Sequence, residues 1–116
     1  MIDIERANEI LESIAKWITD NIDLTEFENH REKLFPYKEY CYFRVLILNG
    51  IITISDDYTR ELIDIRRGKI TITDNKYTIE STIMYLIDKW DTIKEWILEE
   101  YEEASRLKEQ FESFTP

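Results

Sequence analysis

A chain of 116 residues, 43% hydrophobic and 34% charged, is long enough for one domain with its own core and too apolar to be disordered. Its formal net charge of −10 repels phosphate backbones, which argues against direct nucleic-acid binding and for basic protein partners. No apolar run approaches the roughly 20 residues of a membrane helix.

The charge is unevenly spread. Residues 1–35 carry four Lys/Arg against nine Asp/Glu, residues 36–80 carry seven of each, and residues 81–116 carry four against nine. Both ends of the chain are therefore acidic and the middle is neutral. Surface acidity also serves solubility. The opening Met1-Ile2-Asp3-Ile4-Glu5 has neither a basic nor a continuous apolar segment, so no secretory signal is expected. Cys41 is the one cysteine, which rules out an intrachain disulfide and fits a reducing, cytoplasmic setting.

Asp3 is placed to cap a first helix, with Glu5 at its positive end. Ile4, Ala7, Leu11, Ile14 and Ile18 recur in steps of three and four, Ile10 and Trp17 widen the stripe, and Glu5, Glu9, Glu12 and Lys16 take the other side. The pattern predicts an amphipathic helix of about 17 residues. Asp23 with Glu26, and Thr25 with Glu28, have capping-box spacing. Leu24, Phe27, Arg31 and Leu34 form a weaker stripe that stops before Pro36. This predicts a second, shorter N-terminal helix, antiparallel or steeply angled to the first.

The middle of the chain reads as two hairpins. Its two glycines each close a two-residue turn, Asn49-Gly50 and Arg67-Gly68, between runs rich in β-branched residues. Asn-Gly is the stronger signal, because its usual hairpin turn needs positive φ at both residues. In the first hairpin, from Tyr40, Leu48 should face Ile51, Ile47 face Ile52 and Val45 face Ile54. Phe43, Val45, Ile47, Ile52 and Ile54 then share a core face. The other face carries Tyr42, Arg44, Leu46, Leu48, Ile51, Thr53 and Ser55, and is only half polar. After a connector at Asp56-Asp57-Tyr58-Thr59, Ile65 should face Ile70 and Ile63 face Ile72. Leu62, Asp64, Arg66, Lys69, Thr71 and Thr73 should point the other way. Together these make a four-stranded antiparallel meander. Tyr77 and Ile79 either add a short fifth strand or lead into the next helix.

From about Thr78 to Phe114 the chain is predicted helical. A heptad count places Ile83, Trp90, Ile97, Ala104 and Phe111 at one seam position, and Leu86, Ile93, Glu100, Leu107 and Phe114 at the other. A straight helix of about 35 residues measures about 52 Å, too long for a domain whose radius of gyration should be about 13 Å. Either it breaks at Trp90-Asp91-Thr92, with Asp91 as a new cap, or its C-terminal half projects. The fold expected for residues 1–116 is a single α+β domain: two N-terminal helices, a four-stranded antiparallel β-meander, and a long or broken C-terminal helix.

No motif carries catalysis, a metal or a cofactor. His30 is the one histidine, without a second imidazole or thiolate at ligand spacing. Cys41 lacks an adjacent base and reads as a small core residue. Glycine-rich phosphate loops are absent. Arg66-Arg67-Gly68-Lys69 is a basic turn whose like charges face one another, a place for an anion or simply a solvated turn.

The long helix carries the most suggestive pattern. Opposite its seam stand Asp88, Glu95, Glu102 and Glu109, about 10.5 Å apart, flanked by Asp91, Glu99, Glu103 and Glu112. Such a row can imitate a phosphate backbone, or can simply be a solvated face. Trp96 and Tyr101 fall beside the seam as candidate partner anchors. Helices on both faces of the sheet would account for its half-apolar second face, and a homodimer would do the same. The expected function is a small acidic, non-enzymatic interaction protein that inhibits a basic nucleic-acid-handling protein such as a nuclease. The analogy is of class, to phage anti-defence proteins such as anti-CRISPRs, and rests on size, acidity and missing chemistry. The partner-binding set is Asp88, Asp91, Glu95, Glu99, Glu102, Glu103, Glu109, Trp96 and Tyr101. The alternative is a homo-oligomeric structural or adaptor subunit that pairs through its sheet face or its C-terminal helix.

Overall fold

A computed structural model describes residues 3–56 and 60–114. The chain is α+β, with an antiparallel sheet and a long C-terminal helix. Helix α1 spans Ile4–Asn21. The strands β1 (Arg31–Lys38), β2 (Cys41–Leu48), β3 (Ile51–Ser55), β4 (Glu61–Arg66) and β5 (Lys69–Ile72) follow, then helix α2, Lys76–Ser113. Each strand pairs antiparallel with the next, in the order β1-β2-β3-β4-β5. Of the predicted connector, residues 57–59 lie outside those described.

The first helix forms as its sequence dictates. Asp3 caps it by accepting a hydrogen bond from the Glu5 N–H at 2.9 Å, and Ala7, Leu11, Ile14, Ala15 and Ile18 bury its apolar stripe. The second predicted N-terminal helix is absent. Asp23 does act as a cap, accepting from the Thr25 N–H and hydroxyl, but only one 3₁₀ turn follows, Leu24–Glu26. From Arg31 the chain becomes a fifth strand in register with β2, with Lys33 opposite Val45 and Phe35 opposite Phe43. Pairing to an apolar neighbour outweighs the weak helical stripe, since propensity is easily overridden by tertiary context. Pro36 is therefore no helix stop. It sits on an edge strand, where a missing N–H costs no ladder bond, beside a register irregularity between Pro36 and Lys38.

The hairpin registers match the expectation: Leu48 faces Ile51, Ile47 faces Ile52 and Val45 faces Ile54. In the second hairpin Ile65 faces Ile70 and Ile63 faces Ile72. The two hairpins then join through Ile52 opposite Ile65 and Ile54 opposite Ile63, so their isoleucines form one continuous face. Two details differ. Ile70, on the edge strand, is exposed, and Leu62 is buried in the core beside the register shift at Ile54/Ser55. The turns differ as well. Arg67 and Gly68 both take positive φ, at 50° and 85°, whereas at Asn49-Gly50 only the glycine does, at 79°. Gly50 is buried and tied outward: its N–H donates to the Leu24 carbonyl at 3.0 Å and its carbonyl accepts from the Arg67 N–H at 2.8 Å.

Both helices lie on the isoleucine face, α1 over β4 and β5, and α2 over β1 and against α1. Among the described residues no helix lies on the other face of the sheet, contrary to the expectation of helices on both. Helix α2 begins directly at Lys76, with Asn75 accepting from the Thr78 N–H at 3.0 Å, so Tyr77 and Ile79 add no strand. It runs unbroken for 38 residues, about 57 Å at 1.5 Å per residue, so of the two alternatives it takes the one without a break at Trp90-Asp91-Thr92. Its length sets the molecular extents of 60 × 29 × 21 Å and lifts the radius of gyration to 15.2 Å. The seam is buried at Ile83, Leu86, Ile93, Ile97 and Ala104. Beyond Ala104 it projects, leaving Leu107, Phe111 and Phe114 exposed.

Candidate functional site

Helix α2 is held by aromatic contacts along one side. Tyr85 packs on Tyr37, Trp90 meets Trp17 edge-on at 5.6 Å, Trp96 meets Phe35 edge-on at 5.7 Å, and Tyr101 lies against Phe27 at 6.0 Å. Trp96 is only 9% exposed. Trp96, expected to be an exposed anchor, is instead buried where it docks α2 on β1 through Phe35, and Tyr101 is half-buried against Phe27, which follows the 3₁₀ turn. Their place beside the seam was legible. That β1 would rise to meet Trp96 was not, because the segment supplying Phe35 read as helix.

A charged clamp reinforces this side. One guanidinium nitrogen of Arg31 donates to Glu100 Oε2 and to Glu103 Oε1, both at 2.8 Å. Arg31 and Glu100 are largely buried, at 18% and 24% side-chain exposure. Glu100, the acidic intruder in the apolar seam, is thus the partner of a strand residue. The Arg31 guanidinium holds the Glu103 carboxyl below the ordinary glutamate value. Glu103 belongs to the clamp as much as to the outer acidic row.

The rest of that row stands free of ion pairs. Asp88, Asp91, Glu95, Glu99, Glu102 and Glu109 are all exposed, and among the described residues none of them forms an ion pair. Because α2 is unbroken, Asp88, Glu95, Glu102 and Glu109 keep one helical phase and drift only about 20° per heptad. Two of the helix's cations are drawn to its inner flanks. Lys94 sits 5.1 Å over the Trp17 ring, and Lys108 pairs with Glu26 at 3.4 Å. The outward surface of α2 is left strongly acidic.

The uncovered sheet face is the second distinctive surface. Leu34 and Leu48 are 46% and 38% exposed, and Tyr42, Leu46 and Ile51 are half-buried. Two ion pairs lie on it: Arg44 pairs with Glu32 at 3.1 Å, and Arg66 with Asp64 at 3.1 Å. Arg66 and Lys69 face one another as expected of the basic turn, with Asp64 offsetting the charge of Arg66. Arg67, on the same turn, lines a cleft of about 470 Å³ together with Asp20, Asp23, Gly50 and Tyr101.

The chain matches no protein-family model, and no curated protein or solved structure is significantly similar to it.

The isolated chemistry-bearing residues take ordinary positions. His30 is exposed in the loop before β1, and Cys41 is half-buried and free at the start of β2. Among the described residues, no group of three or more His, Cys, Asp or Glu is placed to hold a metal ion. Among those residues also, no helix is long and apolar enough to cross a membrane.

Proposed function

We propose that the protein is a non-enzymatic inhibitor of a basic nucleic-acid-handling protein, whose phosphate-binding groove it occupies with the outer face of α2. The observation that carries the reading is the continuity of that helix over 38 residues. An unbroken helix turns scattered acids into a rigid row. From Asp88 to Glu112 it presents eight carboxylates, counting Glu103, over about 36 Å, or roughly one charge per 5 Å. One strand of duplex DNA carries a charge about every 3.4 Å. A preorganised row of similar density meets a basic groove without paying much ordering entropy, and it gains by releasing the groove's own counterions. In class the reading parallels phage anti-defence proteins such as anti-CRISPRs, and it accounts for the −10 net charge.

The test is competition. With a panel of purified nucleases bearing basic grooves, the protein should displace a fluorescent duplex from at least one member, and more weakly as salt rises. The triple variant Glu95→Gln, Glu102→Gln and Glu109→Gln should weaken that displacement by about tenfold or more, as expected for lost charge pairs across a groove. If the triple variant displaces the duplex as well as the native chain does, the helix face is not the binding surface.

A further inference from the structure

We infer that the uncovered face of the sheet is a homodimer interface, on which two copies stack sheet to sheet about a two-fold axis. The strand registers put Leu48 beside Ile51, Leu46 beside Thr53, and Pro36 beside Tyr42 on this face. Leu34 lies next to Arg44. The result is a half-apolar platform centred on β2, crossed by the ion pair Glu32–Arg44 and flanked by Asp64–Arg66. With strands about 4.8 Å apart and a rise of about 3.4 Å per residue, the platform measures roughly 500 Å² in plan. Two copies then bury on the order of 1,000 Å², the lower end for a specific interface, and should associate with about micromolar affinity.

Two features of the molecule favour a second copy as the occupant. The first is charge. The face is close to neutral and carries two ion pairs, so it offers no attraction to nucleic acid or to a strongly charged partner. Face-to-face stacking, with sheets about 10 Å apart and a helix layer of about 10 Å outside each, puts the two acidic surfaces roughly 30 Å apart. That is several Debye lengths at physiological salt, so the chain's acidity does not oppose this one mode of pairing. The second is the protection of the edges. β1 carries Lys33, Pro36 and Lys38 with a register irregularity, and β5 is only four residues long and begins at Lys69. These are devices against edge-to-edge growth, whereas the face is left half apolar. The projecting Leu107, Phe111 and Phe114 are less suited to self-pairing, because acids surround them.

Sedimentation equilibrium on the full chain decides the matter. The native protein should show twice the 14.1 kDa chain mass at tens of micromolar, and should hold it as salt rises, because screening weakens only the acidic repulsion. Leu34→Glu and Leu48→Glu replace side chains that already meet solvent, so each should fold with native helical circular dichroism. Each should also weaken dimerisation by about a hundredfold, the cost of burying an unpaired charge. Phe111→Glu should leave the dimer intact. A native chain that stays monomeric at several hundred micromolar overturns the inference, whether or not the face then binds lipid vesicles or another protein. So does a dimer that Phe111→Glu dissociates and the face variants do not. None of these outcomes depends on whether the helix row binds a nuclease.

Discussion

Near β2 and β3 one face of the sheet is wholly apolar and the other about half apolar, and the two meet opposite fates. On the inner face Phe43, Val45, Ile47, Ile52 and Ile54 are wholly buried. On the outer face Leu46, Leu48 and Ile51, in alternation with them, are left half-buried or exposed. Alternation assigns each side chain to a face, but helices settle which face is sealed. Here both helices go to the same side, and among the described residues no third layer covers the other.

The largest expected contrast lies between two adjacent residues. Ile52→Ala, on the sealed face, should lose about 3 kcal/mol in urea denaturation, from lost burial plus a cavity. Ile51→Ala, one residue earlier on the open face, should lose under about 1 kcal/mol in dilute solution. Equal losses would mean that the outer face is sealed as well. Next comes the clamp between β1 and α2. Arg31→Ala leaves Glu100 largely buried and unpaired, and should lose about 2 kcal/mol, as for hydrogen bonds to charged groups. Arg31→Ala with Glu100→Leu should recover much of that loss, since the seam then reads as a continuous apolar stripe. Gly68→Ala should lose about 1 kcal/mol because its positive φ disfavours a side chain, with open space around the new methyl group.

The pH dependence tests the helix side of the comparison. Arg31 lowers the Glu103 pKa, and hydrogen bonds from Thr25 lower that of Asp23. A carboxyl with a lowered folded pKa binds its proton less readily when folded than when unfolded. Its stabilisation is therefore complete above its ordinary value, 4.5 for the glutamate, and is lost as pH falls through the lowered one. Thermal melts should fall on acidification below that value, and Glu103→Gln should flatten the decline. The smallest effect belongs to the projecting end of α2. Phe111, 81% exposed, should tolerate Ser within about 0.5 kcal/mol.

The local signals in the chain determined a large share of this structure. Asp3 and the stripe from Ile4 to Ile18 specified α1. Asn49-Gly50 and Arg67-Gly68 set both hairpin registers, since the length of a tight turn leaves no freedom in pairing. The heptads from Ile83 specified α2 and, with it, the outward phase of Asp88, Glu95, Glu102 and Glu109. What failed was decided at a distance. Residues 31–38 carry a helix-like Glu-Lys-Leu and an apparent stop at Pro36, yet they become an edge strand because β2 offers them a ladder and an apolar neighbour. The alternation of Phe35 and Tyr37 was the one local hint. Trp96 meets Phe35 only because that segment is a strand, and Tyr101 packs on Phe27 just after the 3₁₀ turn. The continuity of α2 was also a tertiary outcome: Asp91 was a fair cap, but buried Ile93, Trp96 and Ile97 repay a helix that runs straight through it. The placement of both helices on one side of the sheet was likewise invisible in the sequence. Periodicity says which residues share a face, and only packing says whether anything in the chain remains to cover it.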